Sequence, residues 1–77
     1  MLDNLKIITH DQTIIQRLAD SQGFERYRRR NNNYYGLCRY GKLIRLDFRK
    51  SFENGVFAGF RHLEISISPH YHYNNYL

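Results

Sequence analysis

The chain has 77 residues, enough for one small domain and too few for a deep catalytic cleft plus a separate binding module. Hydrophobic residues make up 42%, which excludes a disordered chain. The net charge of +5 and a pI of about 9.7 favour acidic partners by long-range attraction.

Taken in chain order, the opening MLDNLKIITH is acidic early and lacks a long apolar run. Neither a signal peptide nor a membrane span is expected, and the reading is a cytoplasmic protein with no membrane partner. Leu5-Lys6-Ile7-Ile8 is short, apolar and β-prone, and reads as a first strand. Thr9 or Asp11 can cap a following helix, in which Ile14, Ile15, Leu18 and Ala19 recur at helical spacing as one apolar stripe. Gly23 reads as the residue that ends the helix, and Phe24 as folding back onto the core.

Arg26 to Asn33, RYRRRNNN, has no clean period. Self-repulsion among the arginines and the turn preference of Asn predict a loop or an irregular strand edge. Tyr34 to Phe48 predicts a hairpin turning at Gly41-Lys42. That register pairs Tyr40 with Leu43, Leu37 with Leu46 and Tyr35 with Phe48. It gathers Tyr35, Leu37, Leu46 and Phe48 on one face and Tyr34, Cys38, Tyr40, Leu43 and Arg45 on the other, a face that would offer Tyr and Arg as a platform. Asn54-Gly55 is a strong tight-turn signal, and the flanking Phe52, Phe57 and Phe60 read as core. Leu63, Ile65 and Ile67 alternate with Glu64, Ser66 and Ser68 as in a half-buried strand, which Pro69 ends. The expected fold is α+β: a single domain over 1–77 in which one helix packs on one face of a small, mostly antiparallel sheet, ordered strand-helix-strand-strand-strand. Residues 69–77 read as an extended tail.

Nine of the twelve Lys and Arg residues fall between Arg26 and Lys50, with Asp47 the only acid among them. The strip comprises Arg26, Arg28, Arg29, Arg30, Arg39, Lys42, Arg45, Arg49 and Lys50; Tyr27, Tyr34, Tyr35, Tyr40 and Phe48 are interleaved with them, and Tyr34, Tyr35 and Tyr40 complete the candidate set of twelve as stacking residues. Cations neutralise phosphate and aromatic rings stack on bases, so these twelve residues form the candidate surface for nucleic acid or an acidic partner. No helix is marked for the major groove, which favours RNA or single strands over duplex DNA.

Nothing in the sequence names a reaction. Cys38, the only cysteine, excludes an internal disulfide and reads as a strand residue in a reducing compartment. His70 and His72 would share one face of a strand and could hold a divalent metal. Tyr73 and Tyr76 follow too closely to act opposite such a metal, so the segment reads as a terminal aromatic tail. A His62/Glu64 or His10/Asp11 acid–base pair would need a pocket that the sequence does not show. The expectation is no catalytic residue, no metal and no cofactor.

The opening MLDNLKI, the Tyr35-Gly36-Leu37 strand and the stretch LEISISPHYHYNNYL resemble the N-terminal part of gene II/X-type replication initiators of phages and mobile elements. That family's catalytic tyrosines lie further downstream than these residues, so the resemblance implies a fragment without nuclease activity. A short, basic, motif-poor chain of this descent is also similar in character to anti-CRISPR proteins, in particular inhibitors of type VI-B RNA-guided RNA-cleaving effectors. These resemblances imply a non-catalytic inhibitor whose partner is a CRISPR effector ribonucleoprotein, its guide RNA or both. The alternative they imply is a DNA-binding accessory fragment acting on mobile-element DNA.

Overall fold

The structure is a computed structural model that describes residues 5–28 and 32–68. Its elements are β1 (Leu5–Thr9), α1 (Gln12–Ala19), β2 (Glu25–Tyr27), β3 (Tyr34–Arg39), β4 (Ile44–Glu53) and β5 (Val56–Ile67). All strand pairings are antiparallel, in the order β1-β5-β4-β3-β2. This is the expected α+β class, with the helix on one face of the sheet. The sheet has five strands because part of the Arg26–Asn33 stretch pairs as the short edge strand β2. The tail 69–77, with His70 and His72, lies outside the described residues, as do Arg29 and Arg30.

Cross-strand rows follow directly from the registers. Ile7, Ile65, Leu46, Leu37 and Arg26 form one row; Thr9, Leu63, Phe48 and Tyr35 form the next. Both rows point to the helix, where Ile15 meets Leu37, Leu46, Phe48 and Leu63 in the buried core. The expected hairpin register holds, with Leu37 opposite Leu46 and Tyr35 opposite Phe48. The chain reverses at Gly41 and Lys42, both at positive φ, and Leu43 N–H donates to the Tyr40 carbonyl at 3.1 Å.

Asp11 caps the helix, its Oδ1 accepting from Thr13 N–H at 2.9 Å and Ile14 N–H at 3.4 Å. Ile15 is buried and Leu18, Ala19 and Phe24 pack against the core as expected, but Ile14 is 43% exposed, turned off the edge of the stripe. The helix also ends earlier than expected. Asp20 is its C-cap and Ser21 closes it, donating its backbone N–H and its hydroxyl to the Leu18 carbonyl. Gly23 sits beyond the cap, with positive φ, in the turn that leads into β2.

A larger correction concerns Phe52 and Phe57, expected in the core and found about half exposed. Eight helical residues span about 12 Å, whereas twelve extended residues span roughly 40 Å. The β4–β5 hairpin therefore runs past the end of its cover. Asn54 and Gly55, both at positive φ, make the tight turn at its tip, and Phe52 pairs with Phe57 just before it. Register shifts around Lys50 leave extra residues on β5, so that Phe60 rather than Arg61 lies over Phe48, with ring centroids 5.1 Å apart.

Candidate nucleic-acid interface

Strand β3 carries Tyr34, Tyr35 and Arg39, strand β4 carries Arg45, Arg49 and Lys50, and one glycine lets β2 dock on β3. A Cβ on Gly36 would lie 2.9 Å from the Tyr27 carbonyl oxygen and 2.9 Å from the Tyr27 ring. With no side chain there, Tyr27 lies across Gly36 and its hydroxyl donates to buried Asp47 on β4. Tyr34 is held in a similar way: its hydroxyl donates to Glu64 Oε2 at 2.7 Å. Glu64 also meets His62 Nε2 at 3.2 Å and Lys6 Nζ at 3.3 Å. Burial raises the carboxyl pKa, but the hydrogen bonds from Tyr34, His62 and Lys6 together outweigh it and hold Glu64 below the ordinary glutamate range.

The sheet face away from the helix is thus not the open Tyr/Arg platform expected of it. Asp47, Glu64, Ser66 and Ser68 are buried along its centre, and Arg45 is half-buried with Nη2 donating to Ser68 Oγ at 3.0 Å. Two tyrosine hydroxyls are turned inward onto carboxylates, as buried polar groups require. Cys38 is buried on the same face, and desolvation pushes its thiol pKa up, away from the reactive thiolate. His62 and Glu64 do meet, as an acid–base pair would, but neither lines the concavities described next.

The basic strip divides between the two ends of β3. At the turn end stand Arg39, Tyr40 and Lys42: the Arg39 guanidinium lies 4.9 Å from the Tyr40 ring and 5.8 Å from Phe24, and Lys42 Nζ lies 5.9 Å from the Tyr27 ring. At the opposite end gather Arg26, Arg28, Tyr34, Tyr35, Arg49 and Lys50. Here Arg26 lies 4.3 Å over the Tyr35 ring and Arg49 lies 5.4 Å over Tyr34. Arg45 stands on the polar face between the two groups.

Two concavities adjoin at the second end. Arg26, Tyr27, Arg28, Asn32, Tyr34 and Lys50 line a cationic pocket of about 240 Å³. Tyr35, Lys50, Phe52, Phe57 and Phe60 line an apolar groove of about 340 Å³. Lys50 belongs to both. Its position is fixed by its backbone N–H, which donates to the Asn33 carbonyl at 2.7 Å and ties β4 to the loop before β3. The cationic pocket offers guanidinium, ammonium and amide donors to an anion; the groove offers aromatic faces.

Sequence alone places Tyr27 among the aromatics interleaved with the strip but does not single out Asn32 or the three phenylalanines as site residues. The signal for Phe52 and Phe57 was present in the Asn54-Gly55 turn, which places both at a hairpin tip that an eight-residue helix cannot reach. The described residues contain no group of three or more His, Cys, Asp or Glu side chains placed to hold a metal. None of their helices is long and apolar enough to cross a membrane. No protein-family model matches the chain, and no curated protein or solved structure matches it either.

Proposed function

We propose that this chain is a non-catalytic binding protein of a phage or mobile element that grips RNA through the Arg26/Arg28/Lys50 end of its sheet. On this reading it acts in the bacterial cytoplasm as an anti-CRISPR-type inhibitor, binding an RNA-guided ribonuclease and disturbing its guide or target RNA. The observation that carries RNA binding is the shared border of a cationic pocket and an aromatic groove at Lys50. Phosphate and base are held one nucleotide apart in a single strand, so adjacent sites for charge and for stacking fit that polymer better than they fit duplex DNA. The inhibitory role rests on the resemblance to anti-CRISPR proteins.

The test is binding over a salt series to a guide-like RNA hairpin, to single-stranded RNA and to duplex DNA, followed by target cleavage by a type VI-B effector with and without the protein. The expected result is RNA binding that weakens steeply with salt, together with loss of cleavage. Replacing Arg26, Arg28 and Lys50 by Gln should flatten the log–log salt slope by roughly 2, at about 0.7 per phosphate contact on a single strand. Preferential binding to duplex DNA, with the effector unaffected, would replace this reading with the accessory DNA-binding role.

A further inference from the structure

The aromatic groove beside the cationic pocket has a chemistry that the basic strip alone does not explain. Its apolar walls are all aromatic: Tyr35, Phe52, Phe57 and Phe60, with Lys50 at the border. Tyr35 and Phe60 are stacked at 5.9 Å and 26°. Phe57 meets Phe60 edge to face at 5.4 Å, and Phe52 meets Phe57 likewise at 6.3 Å. The result is a continuous row of rings from the core to the hairpin tip, and it ends in two rings that are 48% and 52% exposed. At the other end Arg26 covers Tyr35 from the side of the cationic pocket.

Resting on the reading above, we propose that the groove receives one unstacked base of a single-stranded RNA while a neighbouring phosphate occupies the Arg26/Arg28/Asn32/Lys50 pocket. Several features favour this occupant. A planar heterocycle can stack face to face on planar walls, a contact that a peptide's aliphatic anchor cannot make. A volume of about 340 Å³ is at the small end of ligand sites and suits a single ring system. Charge complementarity supplies the rest: Lys50 stands between groove and pocket, where the backbone of the inserted nucleotide would pass. Stacking of this kind tolerates any base, so the groove contributes affinity and a preference for unpaired over paired nucleotides, with little sequence preference.

The experiment uses the full chain and a short single-stranded RNA carrying 2-aminopurine, whose fluorescence is quenched when it stacks on an aromatic ring. Phe57→Leu and Phe52→Leu remove a π face while keeping an apolar side chain at exposed positions, and thermal melting checks that each variant stays folded. Expected are quenching with the wild type, loss of that quenching in both variants, and affinity lowered about ten-fold with the salt slope unchanged. Full affinity and quenching in folded variants would overturn base insertion while leaving RNA binding by the cations intact. Groove variants that spare RNA binding but weaken capture of the effector protein would assign the groove to a protein side chain and likewise overturn it. An absence of salt-sensitive RNA binding in the wild type would remove both this inference and the functional reading beneath it.

Discussion

At the scale of single residues, Gly36 and Glu64 do the most to set the surface. Gly36 is where β2 comes close to β3, and the obstacle to a side chain there includes a backbone carbonyl, which cannot swing aside. Gly36→Ala is therefore expected to destabilise the domain by about 1–3 kcal/mol, the usual cost of overpacking, read from chemical denaturation. It should also displace Tyr27 from Asp47. Glu64 gives the fold a pH dependence. Its folded pKa is depressed, so its contribution is fully present above the unfolded value of about 4.3 and lost as pH falls through the lower folded value. Glu64→Gln should lower the melting temperature at pH 7, and the gap from wild type should close as pH falls below 4. A gap that persists unchanged at low pH would show that Glu64 acts through packing alone. Neither role was legible in the sequence. Gly36 looked like an ordinary strand residue, and Glu64 like the solvent-facing member of an alternating pair, because the partners that bury it, Tyr34 and Lys6, come from other strands.

At the scale of elements, local signals were read well wherever the physics is local. The Asp11 cap, the Gly41-Lys42 reversal and the Asn54-Gly55 turn all lie where turn and cap chemistry put them, and the β3–β4 register follows from the first reversal. The cap also has a measurable weight. Asp11→Ala leaves the Thr13 and Ile14 N–H groups without their acceptor and should cost about 1 kcal/mol, seen as a lower urea midpoint with an unchanged m-value. What the sequence concealed was the mismatch in length between a short helix and a long hairpin. Three phenylalanines close to a turn read naturally as core, yet only Phe60 lies under the helix. The register shifts on β5 that bring Phe60 over Phe48 depend on pairing with β4, and no periodicity in the strand itself announces them.

On the scale of the whole molecule, the basic strip that is continuous in sequence is not continuous in space. Antiparallel pairing sends Arg39, Tyr40 and Lys42 to one end of the sheet and Arg26, Arg28 and Lys50 to the other. It also folds the middle of the strip, around Arg45 and Asp47, into a polar layer closed by its own hydrogen bonds. Composition picked out the cationic and aromatic residues, and topology decides which of them stand together. The groove at Lys50 arises from the same topology, because antiparallel pairing brings Tyr35 of β3 beside the outer half of the β4–β5 hairpin.

The most direct test of this account is a backbone amide NMR titration of the labelled protein with a short single-stranded RNA. The account predicts chemical-shift changes centred on Arg26, Arg28, Asn32, Lys50 and Phe57, with Arg39, Gly41 and Lys42 little affected. Shifts centred instead on the Arg39–Lys42 end, or spread evenly over the basic residues, would contradict it.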